Sequence, residues 1–202
     1  MSAQGPWLPA SPFCVRERLG FARRRADDLV RVAANHPWAR GEEVERELQQ
    51  IVQEFFFHLV GAVELVAQVV NTAKGLGLGF EQVSVPTVCE ALGQKDPVAV
   101  ALRRLYVNPR REPMPADPYG DEGTIYRVYN HRGHVTHRGR DPMGFTFIPP
   151  FDVPEPPPVP IFVLDPRNRS SDFSSRTMGE DVEVMYAYVH DGCEVVLALL
   201  SK

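Results

Sequence analysis

Between Tyr126 and Arg140 the chain reads YRVYNHRGHVTHRGR, with Arg127, Arg132, Arg138 and Arg140 set among His131, His134 and His137 and no carboxylate between them. A guanidinium keeps its charge at any physiological pH, whereas an imidazole gains and loses a proton near neutrality. Binding or cleaving a phosphodiester uses both. A cation must face the phosphate oxygens, and a second group must move a proton as a P–O bond forms or breaks. No other stretch of the 202 residues is as chemically pointed.

Plainer readings of polar clusters stand beside this one. Arginines after a helix can be a solvated face, or can pair with Asp and Glu elsewhere in the chain. The spacing His131-x2-His134-x2-His137 suggests metal, but residues stepping by three drift around a helix, and no HExxH or further ligand is present. We therefore expect no metal and no cofactor. Arg16, Arg18 and Arg23–Arg25 read more readily as a solvated helix face than as an RNA groove. His58, among phenylalanines, reads as a satisfied core histidine. His190 and Asp191 are adjacent, and adjacent residues do not face each other on a helix. The run GLGLG at 75–79 lacks the spacing and preceding strand of a phosphate loop.

Composition narrows the class. A formal charge of −4 and a pI near 5.9 argue against a generally basic nucleic-acid coat protein, so an anionic partner must meet a local patch. Apolar residues make up 44%, ordinary for a soluble globular chain. Met1–Cys14 shows no basic segment followed by an apolar one, so no signal peptide is expected. Cys14, Cys89 and Cys193 are odd in number and without CxxC spacing, which fits reduced thiols and a cytoplasmic protein.

The elements that must position the Arg/His segment are mostly helical. After a flexible leader over 1–13, Val15–Asn35 carries Leu19, Ala22, Ala26, Leu29, Val30 and Ala33 at helical spacing, and His36-Pro37 ends it. A second helix is expected from Gly41 or Glu42 to about Lys74. Its middle, Phe55–Val70, is apolar almost all round, but it is shorter than a membrane span and broken by His58, Glu64 and Gln68; a buried central helix is expected. Shorter helices are expected near Pro86–Leu92 and Pro97–Val107. Asp121-Glu122 then opens the helix that carries the segment, with Ile125, Val128 and Tyr129 as its apolar side. From about 141 to 178 prolines exclude helix and permit only short strands, near Phe145–Ile148 and Ile161–Leu164. Asp181–Leu200, with Val184, Tyr188, Val195 and Leu199, closes the chain, and Gly192 weakens its continuity. The expected fold is mainly α: one domain over 1–202, a bundle of four to five main helices from about 15–140 and 181–200, with a proline-rich insertion before the last helix.

RGHVTH, Arg132 to His137, is an arginine, four residues and a histidine in a helical context. It resembles the HEPN superfamily (higher eukaryotes and prokaryotes nucleotide-binding). The resemblance implies a four- or five-helix bundle and a metal-independent endoribonuclease of toxin or defence type, active as a homodimer and countered by an antitoxin. It assigns Arg132 and His137 as the catalytic pair, and Arg127, Asn130, His131, His134 and Arg138 as RNA- or phosphate-binding residues. Arg127 with His134 is a second frame. Where the family usually has a polar residue after the arginine, this chain has Gly133. That departure keeps open a second class of function, a helical interaction or nucleotide-binding protein that has lost the chemistry. On an ideal helix Arg132 and His137 lie about 140° apart. The pair therefore needs a distortion at Gly133, or a site built from two chains.

Overall fold

Val15, Leu19, Ala22, Ala26 and Leu29 recur every three or four residues and are all buried along helix α1, Pro12–Asn35. Val30, expected in the same stripe, faces solvent. This computed structural model describes residues 10–35, 42–138, 143–147, 158–168 and 171–201, and only the backbone at 33–35, 42–43, 135–138, 143–147 and 158–159. The leader expected over 1–13 thus ends by residue 11, since Pro12 already begins α1. Residues 1–9, and the break at His36-Pro37, lie outside the described residues.

Helix α2, Glu42–Ala73, is the centre of the fold. It is long and apolar enough to cross a membrane, yet α1, α5 (Asp121–Arg138) and α6 (Met178–Leu200) cover it, and Phe55, Phe56, Leu59, Val63 and Val66 are buried against them. Two short helices follow it, α3 (Val85–Leu92) and α4 (Pro97–Arg103). Each starts at a side chain that accepts from the orphan amides of the first turn, Ser84 for α3 and Asp96 for α4. The fold is therefore mainly α, a bundle of four long helices with two short ones at its side.

The proline-rich insertion contributes an antiparallel hairpin of β1 (Met143–Phe147) and β2 (Pro158–Phe162), with Phe145 opposite Pro160. β2 begins three residues earlier than the sequence suggests. Pro158 and Pro160 are two apart, so their missing donors fall along one edge of the strand and cost few ladder bonds. Val163 then bridges Phe173, and Ser174 N donates to Phe162 O, so the chain doubles back toward α6.

Helix α6 starts one turn before the expected Asp181. Thr177 Oγ1 accepts from Glu180 N while the Glu180 carboxylate accepts from Thr177 N, a reciprocal cap that also holds the Glu180 carboxyl below its usual range. Its buried face is Val182, Met185, Val189, Cys193 and Val196, not Val184 and Val195, which are exposed. Nor does Gly192 break it. A Cβ there would lie 2.3 Å from Leu105 Cδ2, so the glycine lets the end of α4 approach α6 closely. Burial pushes the Cys193 thiol up to about 12, and Cys14, Cys89 and Cys193 are all free.

A buried ion pair crosses this core. The Arg127 guanidinium on α5 donates to both carboxylate oxygens of Asp181 in the first turn of α6, and both residues are 1% exposed. Either charge alone in that environment would be severely unfavourable. Arg127→Ala or Asp181→Ala should therefore cost about 3–5 kcal/mol, read as a lowered urea midpoint. Replacing both together, Arg127→Met with Asp181→Leu, should cost far less, and a double variant as unstable as the singles would contradict this account.

Candidate functional site

Helix α5 enters the bundle buried on all sides, from Gly123 to Val128, and emerges toward its C-terminal end. That depth decides the fate of three expected ligand residues. Arg127 is committed to Asp181. Asn130 Nδ2 donates to Asp165 Oδ1 at 2.7 Å. His131 is fully buried, its ring parallel to Phe56 at 5.2 Å and tilted against Phe162 at 4.9 Å. A polar group surrounded by other elements needs an internal partner, so Arg127 and His131 tie α5 to α6, α2 and the insertion, and Asn130, held by Asp165, stands at the border of the cleft.

The emerging part of α5 forms one wall of a cleft of about 460 Å³. Tyr129, Asn130, Arg132, Gly133 and His134 line it from α5, Val60 and Glu64 from α2, Tyr106–Arg110 from the segment after α4, and Arg167 from the insertion. By helical rotation Gly133 sits midway in this wall, with Arg132 and His134 on either side of it. A Cβ added at Gly133 would meet nothing within 4 Å. Position 133 thus faces open space in the cleft.

Arg167 and Arg110 carry no signal in the sequence beyond their charge. Arg167 follows Asp165-Pro166, a turn in which Asp165 Oδ1 accepts from Arg167 N at 3.0 Å while also holding Asn130. Its guanidinium donates to Tyr126 Oη at 2.6 Å. Burial raises the hydroxyls of Tyr126 and Tyr129, which keeps both neutral. The cleft therefore brings together the guanidiniums of Arg110, Arg132 and Arg167, the imidazole of His134 and the carboxylate of Glu64, with Asp165 Oδ1 3.9 Å from Arg167 Nε.

Arg132 and His134 share the cleft, whereas the side chains of His137 and Arg138 lie outside the described residues. The backbone of α5 passes Gly133 as regular helix, without the distortion the Arg132–His137 pair would need to converge. By register His137 stands one turn beyond Gly133 and about 40° from it around the axis. Among the described residues no group of three His, Cys, Asp or Glu side chains could hold a metal ion. Comparison of the chain with known protein families, curated proteins and solved structures finds no match.

The other polar clusters fall into place around the site. His190 Nδ1 and Asp191 Oδ1 do meet, at 2.9 Å, because both side chains are exposed and free to bend toward each other, but they line no cleft. His58 is half-buried: its ring stacks on Phe21 at 5.1 Å, and its Nδ1 lies 3.2 Å from Arg18 Nη1. Arg18 can only donate, so His58 accepts as a neutral imidazole. Burial, and after it the Arg18 guanidinium, hold His58 below the ordinary histidine range; Glu54 opposes this, and Arg24 and Arg25 add to it.

A folded value below the unfolded one means that this group's contribution is complete above about pH 6.5 and is lost as pH falls through the His58 value. The urea midpoint should drop between about pH 7.5 and about pH 5.5, and His58→Phe, which keeps a ring but no proton, should reduce that drop. An unchanged pH dependence in the variant would remove His58 as its source.

Proposed function

We propose that this chain is a cytoplasmic, RNA-directed protein of the HEPN type, a metal-independent endoribonuclease working in the cleft around Gly133. The observation that supports this best is the gathering of three arginines, Arg110, Arg132 and Arg167, with His134 on one cleft. Arg132 is the arginine of the Arg-x4-His pattern. It neutralises the charge that builds on the phosphate as the RNA 2′-hydroxyl attacks phosphorus. As the 2′-O–P bond forms and the P–O5′ bond breaks, one imidazole accepts the 2′-hydroxyl proton and a protonated one supplies the 5′ oxygen. Because the nucleophile belongs to the substrate, no metal is required. His134 stands in the cleft with Arg132, and His137 is the motif histidine one turn further on.

The test uses purified protein and structured RNA in EDTA. Arg132→Ala should slow cleavage by about 10²-fold or more, and loss of the acting histidine by about 10²–10⁴-fold. Comparing His134→Ala with His137→Ala assigns the proton carrier. Equal cleavage by the wild type and all three variants, or activity only with added metal, would discard the proposal. RNA binding without cleavage would favour a protein that keeps the cleft and has lost the chemistry.

Two protons must be managed on opposite sides of phosphorus, and a second chain would bring a second set of histidines. We propose a homodimer whose α5 C-terminal ends approach a twofold axis, the commonest soluble symmetry, with an antitoxin protein as a further partner. Light scattering at tens of micromolar should give twice the 22.7 kDa chain mass. A stable monomer at that concentration would rule the composite site out.

A further inference from the structure

The six arginines of α1 divide into two groups. Arg16 pairs with Glu194, Arg23 with Glu183 and Asp27, Arg25 with Asp28 and Glu54, and Arg31 with Asp28. Arg18 and Arg24 pair with no carboxylate among the described residues. Each lies over an aromatic ring instead: Arg24 over Phe21 at 4.4 Å, and Arg18 over Phe57 at 5.2 Å.

These contacts join into one line. Arg24 covers Phe21, Phe21 stacks on His58, His58 accepts from Arg18, Arg18 covers Phe57, and Arg132 covers the same Phe57 at 5.4 Å. Arg18 lies against Gly61 of α2, its Nε 3.6 Å from where a Cβ would be. Phe21 is 39% exposed and Phe57 49% exposed, so both rings keep surface for a ligand. The line ends at Arg132, on the wall of the cleft already described.

The geometry points to a track for single-stranded RNA along the α1–α2 edge, feeding the cleft at Arg132. It rests on the reading of that cleft as an RNA site and adds the form of its substrate. Rings alternating with guanidiniums are what an unpaired strand requires: bases stack on aromatic faces and guanidinium planes, and phosphates take the positive charge. A ring holds a guanidinium in place without cancelling its charge, whereas a carboxylate would. A neutral His58 extends the stack and adds no repulsion to Arg18. A duplex, with its bases already stacked on each other, offers the rings nothing. Of the acids beside the line, Glu54 is already paired with Arg25 at 3.0 Å, and Glu64 lines a cleft together with Arg18 and Phe57.

The experiment is fluorescence anisotropy of a labelled single-stranded RNA of about 12 nucleotides, with the same sequence as a duplex for comparison, across a salt series. The wild-type chain should bind the single strand more tightly than the duplex. Phe21→Ala and Phe57→Ala should each weaken single-strand binding by about 5- to 150-fold. Phe57→Tyr, which keeps the ring, should restore most of it. Arg24→Gln should lower the slope of log affinity against log salt by about 0.7, whereas Arg16→Gln, at a carboxylate-paired position, should leave it unchanged. Circular dichroism confirms that each variant is folded.

Saturable binding that Phe21→Ala and Phe57→Ala leave intact would overturn the track, as would duplex preference or no binding at all. So would loss of the dimer in these variants with RNA affinity kept, because the rings would then serve self-association. Cleavage separates this inference from the catalytic one. Binding through the track without cleavage would discard the nuclease and keep the track. Cleavage of RNA with full affinity in Phe21→Ala would do the reverse.

Discussion

The ion pair of Arg127 and Asp181 sets the rotation of α5, and the contents of the cleft depend on that rotation. A guanidinium cannot be left unpaired at 1% exposure, so Arg127 must face the first turn of α6. A carboxylate in that turn is also favoured by the dipole of α6 and lies just inside the Thr177 cap. With residue 127 held, each later residue of α5 has its direction assigned at about 100° per step. Asn130 and His131 follow Arg127 inward. Tyr129 and Gly133 turn toward α2 and the segment after α4, where the cleft forms. Rotating the helix by one residue would bury Val128 no better and would strand both charges.

The proline-rich insertion completes what that rotation begins. It could have been an appendage, since prolines prevent it from joining a helix. Instead Phe162 packs on the His131 ring, Asp165 holds Asn130, and Arg167 reaches the cleft through Tyr126. One short turn, Asp165-Pro166-Arg167, thus holds the Asn130 amide on α5 and brings a cation to the cleft. Core and site share these residues, so the insertion cannot be trimmed without exposing buried polar groups on α5.

Charge is sorted in the same way. The chain is acidic as a whole, yet arginines gather at the cleft, and two on α1, Arg18 and Arg24, pair with no carboxylate among the described residues. Elsewhere on α1 the carboxylates of α1 itself, α2 and α6 take up the arginines. Arg18 and Arg24 lie over the phenylalanine rings of Phe57 and Phe21 instead.

The sequence alone was enough for the mainly α fold, for the course of α2, and for the Arg/His segment as the place to look. Those features are local: apolar spacing, proline and glycine breaks, and residue type are properties of short stretches. It singled out Arg132, which lines the cleft. It did not separate from it Arg127 and His131, whose types suit a phosphate equally well. What separates them is burial, and burial is set by elements tens of residues away, Asp181 on α6 and Phe162 and Asp165 in the insertion. Arg167 and Arg110 were invisible for the matching reason: an arginine in a turn has no periodicity to announce it. Which arginines of α1 are paired with a carboxylate was likewise decided only by packing, since the six share one helix and differ in which acids the neighbouring helices bring within reach.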